Sequence, residues 1–327
     1  MHYSVLLSES IEGLNIQENG IYVDGTLGYG GHSEEILKRL TNGHLYAFDN
    51  DIEAIEYSRK RLDKYKDKVT FIHSNFENLK EKLEEVNVST IDGIVLDLGF
   101  SSPQIDDPNR GFSFMKDARL DMRMDKSQKI SAYEVVNEYK EEKLTEIFYK
   151  YAEEKFSRVI AKNIVARRPI ESTMELVDVI KSSVPTKYML TRHPERVIFQ
   201  AIRIEVNREL IVLEKVLPDA IEMLNIGGRI SVITFHSLED RIVKQTFKKA
   251  SEVDKLVSGL PVIPEEYKPK IKLINKKPIL PSDIELQENT RSKSAKLRII
   301  ERVWLKWKRQ LHQLQKLNLK REKKWFY

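Results

Sequence analysis

The 327-residue chain contains no cysteine. Disulfides, thiolate metal sites and cysteine nucleophiles are therefore excluded, and a cytoplasmic setting fits. Long apolar runs are also missing. None approaches the ~18 residues of a membrane span. The start, Met1-His2-Tyr3-Ser4-Val5-Leu6-Leu7, lacks the basic stretch and apolar run of a signal peptide. No membrane partner is expected. Positive charge is scarcer than the total implies. The net charge is +5, but residues 304–327 hold eight Lys/Arg against one Glu. Taking that +7 from the total leaves the body at −2. All three tryptophans also lie in this tail. Any nucleic-acid surface in the body must then be a local patch.

What is present is enough chain for two domains and a full core. The first hundred residues alternate in type. Short apolar runs at Ile21–Asp24, Leu45–Phe48, Val69–Ile72 and Ile91–Leu98 read as strands, and the last, apolar almost throughout, reads as buried on both faces. Helical patterns fall between them, up to Leu40, over Ile52–Leu62 and over Phe76–Leu83. This order predicts a parallel sheet with helices on both sides. From about Lys116 to His193 the pattern turns helical, with Ala132–Tyr139, Lys143–Tyr151, Lys155–Arg167 and Met174–Ser182 as helices. The α/β pattern then resumes. Phe199, Ile202, Val206, Leu210, Leu213 and Leu217 form the stripe of one amphipathic helix. Pro218 is predicted to open the next helix and Gly227-Gly228 to stop it. Arg229–Phe235 reads as a fifth strand, with a late pair at Ile271–Ile274 and Leu297–Val303, and Lys255–Lys270 as a loop.

Asp24-Gly25-Thr26-Leu27-Gly28-Tyr29-Gly30-Gly31-His32-Ser33 joins the first strand to the first helix. Glycines there admit positive φ and a close ligand. In an open parallel sheet, ligands bind outside the carboxyl ends of the strands. Asp49 ends the second strand, where an acid is able to hold ribose hydroxyls. A dinucleotide site uses the same logic, but its fingerprint wants Gly or Ala where Ser33 stands. A plain connecting turn is the bland reading.

After the fourth strand runs Asp97-Leu98-Gly99-Phe100-Ser101-Ser102-Pro103-Gln104. Amine methylation needs hydrogen-bond acceptors that turn a delocalised nitrogen lone pair toward the methyl donor. Asp97, Ser101 and backbone carbonyls are candidates; a simple capped loop is the alternative. The sequence departs from the Asn/Asp-Pro-Pro-Tyr loop of many amine methyltransferases. Methylation at C5 of a pyrimidine normally uses a cysteine nucleophile, which is absent. If the base is cytosine, its exocyclic amine is the better target.

Taken together, these stretches resemble the ribosomal RNA small-subunit methyltransferase H (MraW) family. The resemblance includes His2–Leu7, Asp24–Ser33, Asp97–Gln104 continuing to Arg110-Gly111-Phe112-Ser113-Phe114, and Leu120–Asp125. It goes on through Phe199–Ile204, Val206–Leu210, Phe235-His236-Ser237-Leu238-Glu239-Asp240-Arg241 and Arg291–Arg298. The motifs run in order from residue 2 to about 303. The resemblance implies S-adenosyl-L-methionine as cofactor and N4 of a cytosine in the decoding region of small-subunit (16S) rRNA as target, with the rRNA met within the ribosomal subunit and a homodimer admitted. It implies cofactor contacts at Gly30, Gly31, His32, Asp49, Phe76, Asp97 and Gln104. No metal is implied.

The implied fold class is α/β, a Rossmann-like methyltransferase domain with an inserted helical domain. The expected divisions are 1–115 and 194–303 for the methyltransferase domain, 116–193 for the insertion that helps hold RNA, and 304–327 for a basic aromatic extension. Arg158, Lys162, Arg167, Arg168, Lys187, Arg192 and Arg196 are candidate phosphate contacts, against the alternative of a solvated face. Ser101 and His236 are the candidate catalytic side chains, although a lone histidine is more often structural. Gln200, Arg203, Asn207, Arg110, Arg123 and Asp125 either support the substrate pocket or face water. The tail departs from the family pattern, which usually ends near Val303. Its basic and aromatic residues suit RNA or a membrane surface, or form an extension without function; activity is expected not to depend on it.

Overall fold

A computed structural model of the chain describes residues 4–100, 104, 107–253, 257, 259–264 and 267–303, apart from the side chain of Leu190. The tail and Ser101 lie outside the described residues, as does part of the expected loop 255–270.

The chain divides into two compact units. The larger holds residues 3–49, 57–98 and 214–327. Its frame is a sheet of seven strands: β1 (Ile21–Asp24), β2 (His44–Asp49), β3 (Val69–His73), β4 (Ile91–Asp97), β5 (Leu224–Thr234), β6 (Ile271–Leu273) and β7 (Lys296–Arg302). The order is β3-β2-β1-β4-β5-β7-β6. The first five strands are parallel, and β7 enters antiparallel between β5 and β6. This is the Rossmann-like sheet expected, with one reversed strand near its edge. Tyr22, Val23, Leu45, Phe48, Ile94, Val95, Leu96, Ile230, Val232 and Ile300 are buried on it. Strand order turns back between β1 and β4, so the crevice for a ligand opens at their carboxyl ends.

Short helix α1 (Leu7–Leu14) lies against β5 and β7. Ser231 Oγ donates to the Ser10 carbonyl at 3.0 Å. A Cβ on Gly13 would meet Ile299 Cδ1 at 2.5 Å, so a larger residue there would have to displace that side chain. Helices α2 (Gly31–Arg39) and α4 (Leu79–Glu85) follow β1 and β3, and α3 (Ile52–Arg61) follows β2.

The second unit holds residues 1–2, 50–56 and 99–213. It takes in Asn50–Glu56 and extends past the expected 116–193 at both ends, because the loop after β4 and the helix after His193 pack with it. Its helices are α5 (Ala132–Glu138), α6 (Glu141–Ala152), α7 (Ser157–Ala166), α8 (Thr173–Ser182), α9 (Thr186–Arg192) and α10 (Pro194–Asn207). Capping boxes at Ser131/Glu134 and Ser172/Glu175 start α5 and α8. Helix α11 (Glu209–Met223) includes the last residues of this unit, and α12 (Ser237–Ser251) and α13 (Asp283–Glu288) belong to the sheet unit.

Three expectations need correction here. The stripe from Phe199 to Leu217 is not one helix: Arg208, at φ +52°, breaks it between α10 and α11. Pro218 does not open a helix but sits inside α11. Its neighbours Val216, Leu217, Ala220 and Ile221 are buried, and that packing outweighs the lost backbone hydrogen bond. Likewise Gly227-Gly228 do not precede the strand. They lie within β5, where the register against β4 slips between Leu224 and Arg229 and Gly227 takes φ +82°. A glycine supplies the positive φ that such a bulge needs.

Candidate cofactor site

The glycine-rich turn leaves β1 where the sheet order reverses, and backbone hydrogen bonds pin it to the neighbouring strands. Gly25 N donates to the Val95 carbonyl at 3.0 Å and Leu27 N to Phe48 O at 2.9 Å. Thr26 Oγ1 accepts from Asp97 N at 2.7 Å, tying the turn to the end of β4. Gly30 stands at φ +75° just before α2, and Gly31 leaves room for Ser4, whose Oγ would lie 1.9 Å from an added Cβ. Asp49, at the end of β2, accepts from Gly28 N at 2.8 Å through Oδ2. The acid expected at the ribose thus also holds the turn. Phe76 begins a short 3-10 helix, and its Cβ is 3.5 Å from where a Cβ on Gly25 would sit. Gly30, Gly31, His32, Asp49, Phe76 and Asp97 all belong to the sheet unit and converge around this turn.

The electrostatics of the turn are acidic. Asp24 is buried, takes a hydrogen bond from Ser33 Oγ at 2.7 Å and one from Thr26 N at 3.1 Å. Burial nonetheless pushes its carboxyl up to about 6. Asp97 is pushed well above the usual carboxylate range by burial first, then by Asp24, Glu239 and Glu285. The Asp97 side chain keeps 24% exposure, but its Oδ1 is buried with no hydrogen-bond partner among the described residues. His32 Nδ1 lies 3.8 Å from Asp97 Oδ2, and burial pushes the imidazole down to about 4, so the ring is neutral near pH 7. His32 Nε2 is the second buried atom here without a hydrogen-bond partner among the described residues. Unmatched acceptor capacity in a negative field suits a cationic ligand. S-adenosylmethionine carries a sulfonium and an ammonium, so the residues present fit it. Asp97 would take the methionine part, Asp49 the ribose and Phe76 the adenine face.

Gln104 belongs to the helical unit. It is buried, and its Nε2 donates to Asp51 Oδ2 at 3.0 Å. Arg110, also buried, reaches the same oxygen at 3.0 Å and spans to the carbonyls of Arg123 and Met124 at 2.9 and 3.0 Å. Burial raises the Asp51 carboxyl, but Gln104 and Arg110 outweigh it and hold it below the usual range. Asp51 was not singled out by sequence reading. Its only signal was its place two residues after Asp49, where it also accepts from Glu53 N at 3.0 Å near the start of α3.

Other candidates also take structural positions. His236 caps α12: Nδ1 accepts from Glu239 N at 3.4 Å, and Nε2 is 3.1 Å from Glu239 Oε1 but misaligned for a hydrogen bond. Arg203 makes a bidentate pair with Glu209 at 2.8 Å and stacks 4.7 Å from the Phe100 ring. Asn207 holds the loop at Met122–Met124 by side-chain bonds at 2.8 Å. Arg123 pairs with Asp121 at 2.7 Å. Arg168 is turned inward to the carbonyls of Val136 and Tyr139. Arg158, Lys162, Arg167, Lys187, Arg192 and Arg196 are exposed.

A Rossmann-like sheet with a glycine-rich turn after β1 and acids at the ends of β2 and β4 fits the S-adenosylmethionine-dependent methyltransferase class. The sequence matches the MraW methylase family over residues 1–303, and the chain belongs to that family. Its cofactor is S-adenosylmethionine. Three solved structures resemble the chain at low identity, each with a TM-score below 0.5. A putative rRNA-methylase from Clostridium thermocellum is 15% identical with a TM-score of 0.44, covering 93% of this chain and 100% of that one. An rRNA methylase from Streptococcus thermophilus is 12% identical with a TM-score of 0.42, and coverage is again 93% and 100%. SMU.1697c from Streptococcus mutans, a putative methyltransferase in complex with SAH, is 13% identical with a TM-score of 0.43 and the same 93% and 100% coverage. No helix among the described residues is long and apolar enough to cross a membrane.

Proposed function

We propose that the protein methylates the exocyclic N4 of a cytosine in the decoding region of small-subunit (16S) rRNA, acting in the cytoplasm on rRNA within the ribosomal subunit. The observation that carries this reading is the family match over residues 1–303, which takes in all the ordered motifs. The absence of cysteine supports the amine as target, since the C5 route needs a thiolate. Bound cofactor supplies a methyl group on a cationic sulfur. The chain's own part is to bind, orient and exclude water. Gly30, Gly31 and His32 of the turn, with Asp49 and Phe76, seat the adenosyl part, and Asp97 holds the amino-acid part. Gln104 is proposed as a further cofactor contact, positioned by Asp51. Ser101 remains a candidate acceptor for the amine N–H groups. The geometry of His236 favours a structural cap over catalysis. Exposed cations of the helical unit, Arg158, Lys162, Arg167, Lys187, Arg192 and Arg196, are proposed to take RNA phosphates; Arg168 has its guanidinium engaged by carbonyls and is not among them.

The test is a methyl-transfer assay with labelled S-adenosylmethionine and small subunits lacking the modification, read by nucleoside mass spectrometry. N4-methylcytidine is the expected product. Label on C5, on ribose or on protein alone would overturn the assignment.

A further inference from the structure

Within the sheet unit, a cavity of about 240 Å³ opens between α12, the edge strand β6 and β7, lined by Lys244, Phe247, Lys248, Leu273, Lys276 and Arg298 among others. Phe247 and Leu273 give it apolar walls, and four cations meet it against one acid, Glu252. Two of these cations, Lys244 and Lys276, differ from the rest along the same edge. Lys272 and Lys270 have carboxylate neighbours, Glu301 at 2.7 Å and Glu222 at 3.6 Å. Arg298, buried to 8% exposure, is held by Asp240 at 2.7 Å, and Lys248 lies 3.7 Å from Glu252. Lys244 and Lys276 have no carboxylate partner among the described residues. An edge strand gains protection from lysines, but that role places charge on a flat rim rather than in a concavity.

We infer that this cavity is a phosphate site for the backbone of the RNA substrate, held by Lys244 and Lys276. The inference rests on the reading of RNA as substrate. The other polar groups of the lining, the Ser251 hydroxyl and the Asn275 amide, are bonded to backbone groups and offer little that would read a base edge, whereas ammonium groups without carboxylate partners neutralise phosphate and release its counterions. Exposed Lys277 follows Lys276 in sequence, and Lys248 also lines the cavity, which suits a polyanion better than an isolated anion.

The experiment compares wild type with Lys244→Ala/Lys276→Ala, and with Lys276→Glu as a second variant, all full-length. Fluorescence anisotropy measures binding of a labelled fragment of small-subunit rRNA across KCl concentrations. Calorimetry measures S-adenosylmethionine affinity, and methylation of small subunits is followed in parallel. Expected are a log–log salt slope shallower by about one to two, since each phosphate contact contributes ~0.7–0.9, and cofactor affinity equal to wild type. An unchanged slope with intact wild-type methylation overturns the cavity assignment while the rRNA reading stands. Wild type that fails to methylate rRNA but shows the lysine-dependent slope overturns the substrate reading and leaves the phosphate site. Binding of inorganic phosphate alone, abolished in the variants without any change in the RNA slope, marks a free-anion site and also overturns the inference.

Discussion

Asp97 lies in the field of Asp24, Glu239 and Glu285, and all of them raise its pKa beyond the effect of burial. A cationic ligand needs this carboxylate ionised. Below its raised pKa, binding must first release a proton, so affinity falls as pH falls, approaching tenfold per pH unit. The expectation is a cofactor Kd that weakens steadily as pH is lowered through the raised Asp97 pKa. Asp97→Asn should flatten that profile and weaken binding at neutral pH by about tenfold to a hundredfold, the loss of a charged hydrogen-bond partner. Calorimetry across the range checks this, and a pH-independent wild type would remove Asp97 from the cationic contact. Asp24 gives a second titration, on stability. Its folded pKa is about 6 against an ordinary 3.8. The folded state then binds the proton more tightly than the unfolded chain, so stability is highest below the ordinary value. It is lost as pH rises through about 6, by roughly 3 kcal/mol in total. Asp24→Asn keeps an acceptor for Thr26 N and a partner for Ser33. It should abolish this loss and raise Tm at neutral pH, and denaturation curves at several pH values would show it.

Between elements, one side chain does the work of a short splice. Asn207 ends α10 and joins three backbone groups: it accepts from Met124 N at 2.8 Å and donates to Met122 O and Arg203 O at 2.8 and 2.9 Å. Met122 stands at φ +59°, a conformation costly for a non-glycine residue, so the loop needs external support. Asn207→Ala should cost about 2–3 kcal/mol, the sum of unmet buried partners, and loosen the loop. Asn207→Asp should cost at least as much, because two carbonyls would then face an acceptor. Hydrogen exchange of the Met124 amide and chemical denaturation would test both; wild-type protection in either variant would refute the splice. This tether also shows where sequence reading ran out. All seven strands were legible, because short apolar runs stand out between helical or polar stretches, and three of them are closed by Asp. The break at Arg208 was not, since a single left-handed residue leaves the apolar period from Phe199 to Leu217 intact and no glycine marks it. Gly227 was visible but misread, because a glycine signals positive φ without saying whether a turn or a strand bulge uses it. The turn, Asp49 and Asp97 could be placed from their positions at strand ends. Asp51 and Asn207 could not, because their partners Gln104, Arg110 and Met122 are distant in sequence.

On the scale of the whole molecule, charge is divided unevenly. Residues 304–327 carry eight of the 55 Lys/Arg. The family match stops at residue 303, just beyond β7, whose last residue is Arg302. Every strand of the sheet, and every residue placed around the cofactor turn, lies before that point. Arg302 itself is buried and donates to the Ile221 carbonyl at 3.1 Å, so a chain ending at Val303 retains the final anchor of the sheet. Truncation after Val303 is therefore expected to leave Tm, cofactor affinity and the methylation rate on small subunits within about twofold of the full chain. Removing a net +7 should still weaken unspecific RNA binding and make it less steeply dependent on salt, because such binding is carried by counterion release. The two effects separate in one pair of measurements, single-turnover methylation and salt-dependent RNA affinity. A large fall in the rate at saturating subunits, with Tm and cofactor affinity unchanged, would mean that the tail positions the substrate. Both the family boundary and the closed sheet would then understate the functional length of the chain.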